Sequence, residues 1–407
     1  MSRQPISRSE DLARLQAEGY TLDICGGKLV VRDVPYVDAE CTVHRDGALV
    51  MPLTLAGDIA NPPGEHTAHF SGGIPFAHDG SALTGMINGR DTQDLGDGVI
   101  VHCSFSMMPN TNNGRYLNFY EKVTKYIAAI AGHATFLDPN ATATVSRPIP
   151  PDEDDGSPFH YIDTASSRAG IDALNDVFRN EAVVIVGTGG TGGYLVDLVT
   201  KTCVASVEVF DADVFLTHNA FRAPGAPTLD QLNAAPLKVD HLTAIYSNMH
   251  RRVIAHPYAI DENNVAELAA ATFVFLSIDD PEAKAPIVAF LVEQRIPFVD
   301  VGMGVELVSG RLTGTLRTTL VTPDKHDHVS ATISLRGAGG PDAYRSNIQI
   351  AELNARNAAD AVIAWKRYRG FYADLGVGPS SGFTIATNHV VNSRSSTAPT
   401  LDGEESQ

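Results

Sequence analysis

NEAVVIVGTGGTGG, residues 180–193, is the stretch on which the reading of this chain turns. Residues 182–186 are a continuous apolar run, mostly β-branched, the pattern of a strand covered on both faces of a parallel sheet. GYLVDLVTKTCV, residues 193–204, follows with helical spacing. A glycine-rich turn between such a strand and such a helix is the context in which these glycines bind a nucleotide. The helix N-terminus offers unpaired N–H groups and a positive dipole end to a phosphate. Gly187 is expected to make the tight turn, and Gly189 and Gly190 to admit a phosphate close to the backbone. Gly192 is expected to let helix and strand pack closely.

One strand further, FDADVFLTHNAFR, residues 210–222, places an acid about twenty residues past the glycines, where a ribose diol is bound. Asp211 and Asp213 both qualify. Downstream, RRVIAHP, TFVFLS and PFVDVG alternate with the helix-like NNVAELAAA and EAKAPIVAFLVEQ. Repeated strand–helix units with short loops predict a Rossmann-like, doubly wound, mainly parallel α/β sheet. ELVSGRLTGTLRTTLVT, residues 306–322, reads as an antiparallel C-terminal addition, and a long amphipathic helix is expected over residues 342–369.

Upstream the pattern differs. KLVVRDV and VIVHCSF are short β-like runs among turn residues, and residues 118–131 have helical spacing. They predict a smaller N-terminal α+β domain over residues 1–146. RPIPPDEDDGSP opens a linker, residues 147–160, because paired prolines and an acidic run continue neither helix nor strand. The α/β domain then spans residues 161–376. Residues 377–407, rich in Ser, Thr, Gly and Pro, read as a mobile tail.

The chain has 407 residues and a formal net charge of −18. That balance argues against a nucleic-acid binder or an anionic membrane surface. No apolar run approaches the roughly twenty residues of a membrane span, and no signal peptide opens the chain. Four cysteines, Cys25, Cys41, Cys103 and Cys203, contain no CxxC pair, so neither a disulfide framework nor a four-thiolate zinc site is expected. A cytoplasmic location follows from the same features.

In order, GTGGTG, DADVFLTHNAFR, Lys238 and FLSIDD resemble the ThiF/ubiquitin-activating superfamily over residues 161–365. Gly187, Gly189, Gly190 and Gly192 match its GxGGxG loop. Asp211, Asp213, Asn219 and Arg222 fall at the offsets of its next block, with His218 in place of the usual Ser and Ala223 in place of the usual Gln. The arrangement is similar to bacterial ThiF proteins with an uncharacterised N-terminal domain, which has been likened to a conjugating-enzyme fold. The resemblance implies an ATP-dependent adenylyltransferase that activates the C-terminal carboxylate of a ubiquitin-like or sulfur-carrier protein. The implied setting is a protein-modification or anti-phage pathway.

It also implies roles. Arg222 and Lys238 stabilise phosphate charge, Asp279 holds Mg²⁺, Asn219 orients a phosphate and Asp213 fixes the ribose of ATP. Arg168 reaches the ATP of the partner in a homodimer. Two other readings stay open: an NAD-dependent oxidoreductase on the same sheet, and a non-catalytic dimeric nucleotide-binding module.

Plainer roles compete at several positions. Asp279 and Asp280 precede a proline and suit a helix cap. Lys284 reads as a surface residue. Cys203 reads as a small core residue on the first helix, and no cysteine follows it to carry a thioester. Cys103 is the candidate acceptor, with a strand cysteine as the alternative. His66 with His69, and His326 with His328, have metal-compatible spacing but no third ligand in a fixed pattern.

Overall fold

A computed structural model describes residues 4–110, 112–151, 156–335 and 348–394; the side chains of Ser167, Arg168 and Arg394 are also outside what it describes. The chain divides into two compact units, Met1–Ser157 with Tyr161–Asp172, and Pro158–His160 with Ala173–Gln407.

The first unit is an antiparallel α+β structure. Its strands are β1 (Thr21–Cys25), β2 (Lys28–Val37), β3 (Val43–Pro52), β4 (Thr67–Ser71), β5 (Ile87–Gly89) and β6 (Cys103–Ser106). They form one sheet in the order β1-β2-β3-β4-β6-β5. Helix α1 (Glu10–Ala17) and helix α2 (Phe119–Leu137) complete the core. Asn118 starts α2 by accepting the Glu121 N–H at 2.9 Å, which satisfies one of the free donors of the first turn. Phe119, Val123, Tyr126, Ile127 and Ile130 then recur at helical spacing and are buried with Leu29, Val31, Leu49, Phe70 and Phe105. Ile149, in the stretch read as a linker, is buried too, and its carbonyl accepts the Ile162 N–H at 2.9 Å. Residues 152–155 of that stretch lie outside the described residues.

The second unit carries the mixed sheet. Its strands are β7 (Ala182–Val186), β8 (Ser206–Phe210), β9 (Val253–His256), β10 (Phe273–Leu276), β11 (Phe298–Val308), β12 (Arg311–Val321), β13 (Val377–Thr384) and β14 (His389–Arg394). The order is β9-β8-β7-β10-β11-β12-β13-β14. The first five are parallel, and β12, β13 and β14 add antiparallel. The main helices are α3 (Gly190–Val199), α4 (Lys238–Tyr246), α5 (Pro281–Glu293) and α6 (Ala351–Tyr368).

Alternation along β7 shows why the sheet is doubly wound. Val183 and Ile185 pack with Leu195 and Val196 of α3, Leu242 of α4 and Trp365 of α6. Val184 and Val186 pack on the other face with Ile287, Val288 and Leu291 of α5. A strand apolar at every position needs cover on both sides, and helices supply it.

Three expectations change. Residues 377–394, read as tail, form β13 and β14; the Ser and Thr residues pair along the sheet, Ser381 opposite Thr318 and Asn392. Residues 395–407 lie outside the described residues. The C-terminal helix begins at Ala351, and the residues from Asp342 to Asn347 fall outside the description. The first helix ends at Val199, so Cys203 sits in the following loop, where its thiol meets the Asn175 carbonyl at 2.9 Å. Among the described residues no helix is long and apolar enough to cross a membrane.

Candidate functional site

The carboxyl ends of β7, β8 and β10 open into a cavity of about 610 Å³. A cavity there is where doubly wound sheets bind ligands. Gly187, Gly189, Gly190, Asp211, Asp213, Arg222, Lys238 and Asp279 all line it.

The glycine loop is built as its sequence predicts at two positions. Gly187 has φ +87°, and a Cβ there would lie 2.9 Å from the Ser277 carbonyl oxygen; only glycine is comfortable in this conformation. A Cβ on Gly192 would strike the Gly187 carbonyl, so this residue lets α3 start directly beneath the turn. A Cβ on Gly189 would meet nothing within 4 Å. Gly190 differs, because a Cβ there would run into the Asn354 carboxamide from α6. Ser277 Oγ donates to the Gly187 carbonyl at 2.9 Å and ties the loop to β10.

The two aspartates divide their work. Asp211 Oδ2 accepts the Thr188 N–H at 2.7 Å and its hydroxyl at 3.0 Å, so Asp211 holds the glycine loop. Asp213 points outward, its side chain 71% exposed, with Lys238 Nζ 2.5 Å from its Oδ2. Lys238 opens α4, is buried, and also stands 3.8 Å from Asp211 Oδ1. Of the pair, Asp213 is the exposed carboxylate.

Asn219 is not on the cavity wall. It is buried, and its Oδ1 accepts the Leu216 N–H at 2.8 Å, closing the four-residue turn that presents Arg222. Asp280, rather than Asp279, caps α5, accepting from the Glu282 and Ala283 N–H groups at 2.9 and 3.4 Å. That leaves Asp279 as the wall residue of the two. Arg168 belongs to the helix Thr164–Ala169 in the first unit, and its side chain lies outside the described residues.

Several wall residues escaped sequence reasoning. Lys284 is buried, not surface: its Nζ lies 2.5 Å from Asp300 Oδ1. Asp300 is fully enclosed and also receives Arg317 Nη2 at 2.7 Å. An acid inside the apolar strand PFVDVG was the available signal, since buried charges are paired. Asn354 accepts from Thr191 Oγ1 at 3.0 Å and donates to the Arg222 carbonyl at 3.2 Å, linking α6 to both the glycine loop and the arginine turn. Asn357, one turn on, donates to the Gly302 carbonyl at 3.2 Å.

The cysteine and histidine candidates lie elsewhere. Cys103 is buried in the core of the first unit, and burial pushes its thiol up to about 12. His66 Nε2 meets Ser106 Oγ at 3.2 Å, and His328 Nε2 meets the Leu320 carbonyl at 2.9 Å. Burial holds His69 below the usual imidazole range. Among the described residues no group of three or more His, Cys, Asp or Glu is placed to hold a metal ion.

Residues 164–330 match the ThiF family, and residues 10–164 match a domain of unknown function, DUF6791. Ubiquitin-like modifier-activating enzyme 5 of Drosophila virilis is 25% identical over 171 residues, covering 39% of this chain and 42% of the relative. The Culex quinquefasciatus protein of the same name is 24% identical over 169 residues, with the same coverage. The chain thus spans 42% of the length of these curated relatives. Among solved structures, Escherichia coli MccB with MccA-N7isoASN superposes with a TM-score of 0.46 at 16% identity, over 59% of this chain and 71% of that one. MccB with ATP gives 0.43 at 16% identity, over 56% and 68%.

Proposed function

We propose, from the premise that this chain carries a ThiF-family domain over residues 164–330, that it is an ATP-dependent adenylyltransferase. Its substrate is the C-terminal carboxylate of a ubiquitin-like or sulfur-carrier protein, and its working form is a homodimer. The observation that carries this reading is the sharing of one cavity by the glycine loop, Lys238, Arg222, Asp213 and Asp279. The loop and Asp213 alone would suit NAD equally. Two cations beside them suit a reaction between two anions, and hydride transfer has no use for them.

In this reaction a carboxylate oxygen attacks the α-phosphorus of ATP. The new O–P bond forms as the bond to the β-phosphate bridge breaks, and pyrophosphate leaves with the electron pair. Both reactants are negative, so the site must offset their repulsion. Arg222 presents a fixed guanidinium fork, and Lys238 a point charge, to the phosphates. Asp213 accepts the ribose hydroxyls, and the loop N–H groups hold a phosphate at the start of α3. Arg168 of the partner subunit completes the cation set.

Mg²⁺ fits this donor set. The Asp279 carboxylate lies on the cavity wall, and Mg²⁺ takes one or two carboxylates beside phosphate oxygens and water. When bound it would neutralise phosphate charge.

The test is ATP–pyrophosphate exchange in the presence of candidate carrier proteins. Exchange that depends on carrier, and falls at least a hundredfold in Asp279→Ala with ATP affinity retained, is the expected result. Preference for NAD over Mg-ATP in binding, or bound ATP with no exchange under any carrier, would overturn it.

A further inference from the structure

Asn354, in the first turn of α6, is fully buried and reaches two parts of the phosphate-handling site at once. Its Oδ1 accepts from Thr191 Oγ1 at 3.0 Å, in the first turn of α3, and its Nδ2 donates to the Arg222 carbonyl at 3.2 Å. A carbonyl can only accept, so the atom facing Arg222 is the nitrogen. The glycine motif is shaped to this side chain. A Cβ on Gly190 would run into Nδ2, Cγ and Oδ1 of Asn354, so the carboxamide fills the space that a side chain at residue 190 would need. A Cβ on Gly193 would lie 3.0 Å from Pro224 Cδ; its absence lets the segment after Arg222 settle on α3.

Arg222 needs such a hold. The helical turn before it, Thr217–Ala220, is too short to be stable by itself. Asn219 ties its near end through the Leu216 N–H. At the far end Ala223 has no polar side chain, and the hydrogen bond to the Arg222 carbonyl comes from Asn354. Arg222 Nε is buried and, among the described residues, has no hydrogen-bond partner, so the aim of this side chain depends on its backbone. Helix α6 is the firm side of the contact: Ala358, Ala361 and Trp365 are fully buried in one core with Leu195 and Val196 of α3.

We infer that Asn354 is a positioning residue: it holds the Arg222 turn against the start of α3, so that the guanidinium meets the phosphates where the loop N–H groups hold them. The inference rests on the adenylation reading for its chemistry, and on the two hydrogen bonds of the carboxamide for its geometry. ATP has other holds in the ground state, the loop N–H groups, Lys238 and Asp213, so a loosened Arg222 lowers the rate before it lowers affinity. A misplacement of about 1 Å can slow a reaction roughly a hundredfold. Asn354 touches no reacting atom in this role and acts through Arg222.

Two measurements on the full chain test it. In ATP–pyrophosphate exchange, Asn354→Ala should lower kcat about tenfold or more and move the KM for ATP by less than about threefold. In an Arg222→Ala background the same substitution should lower kcat by no more than about twofold, because nothing is left to position. A full further loss in that background, or an unchanged kcat in the single variant, overturns the inference. Gly190→Ala combined with Asn354→Ala refills the vacated space. Its melting temperature should return toward wild type while its kcat stays as low as that of Asn354→Ala; a recovered kcat would mean that Asn354 only fills space. The second measurement is amide hydrogen exchange over residues 214–223, read by mass spectrometry without carrier or turnover. Asn354→Ala should speed it about tenfold and leave β7 at the wild-type rate. Unchanged exchange over 214–223 overturns the inference. This result stands even if the wild type shows no pyrophosphate exchange, an outcome that counts against the adenylation reading alone.

Discussion

Lys238 and Asp213 are paired at 2.5 Å across a boundary: the lysine side chain is 8% exposed and the aspartate 71%. The sealed partner keeps a second carboxylate, Asp211, at 3.8 Å. The open partner is the replaceable one. Asp213→Asn is expected to fold normally, with a melting temperature within a few degrees of wild type. It should weaken ATP binding about tenfold, since hydrogen bonds to charged groups contribute roughly 1.5–3 kcal/mol. Titration with ATP measures it, and unchanged affinity would remove Asp213 from the ribose.

Lys284, Asp300 and Arg317 make the opposite case, because Asp300 is wholly enclosed. Lys284→Met leaves that carboxylate with one cation. Breaking a buried pair from one side costs about 3–5 kcal/mol, readable as a lower denaturant midpoint. Replacing both partners, Lys284→Met with Asp300→Leu, should recover part of the loss, because the enclosed carboxylate is gone and Arg317, which loses it as a partner, is 32% exposed. A double variant no more stable than the single one would contradict this account.

These two clusters show what the sequence made legible. The glycine loop and the acid on the next strand were readable because their chemistry is local: a turn, a strand end, a helix start. The doubly wound sheet was readable because Val183 to Val186 admit no polar face. Lys284 was not, since its partner is sixteen positions away and helical spacing alone gave it a solvated face. Asn357 was hidden for the same reason; its role depends on Gly302, brought beside it only by the packing of α6 on β11. The Ser- and Thr-rich stretch from 377 misled because composition shows the absence of a core, not the presence of an adjacent strand edge, here β12.

Lys122 in the first unit carries a pH signature. Its side chain is buried, its Nζ donates to the Glu65 carbonyl at 3.0 Å, and burial pushes it down to about 8 from 10.5. Below pH 8 folded and unfolded chains both hold the proton, and the fold bears a buried charge. Between pH 8 and 10.5 the folded chain has released a proton that the unfolded chain still holds, so stability from this group rises with pH. Unfolding free energies for wild type and Lys122→Met, compared at pH 7 and pH 9.5, should show wild type gaining on the variant. A difference that stays constant with pH would mean that Lys122 does not titrate in that window.

Cys103 bears on whether this chain carries a thioester by itself. The thiol lies in the core between β6 and α2, 1% exposed, and burial raises it to about 12. A thiolate is the nucleophile in acyl transfer, so at pH 8 this sulfur is both protonated and enclosed. Cys41, by contrast, is exposed. Iodoacetamide at pH 8 should label Cys41 within minutes and leave Cys103 unmodified until denaturant is added, as peptide mass mapping would read. With ATP and a carrier that supports exchange, hydroxylamine-sensitive adduct should be absent from Cys103, and Cys103→Ser should leave exchange unchanged. Rapid labelling of Cys103 in the folded protein, or a thioester mapped to it, would show that the first unit opens to admit an acyl group.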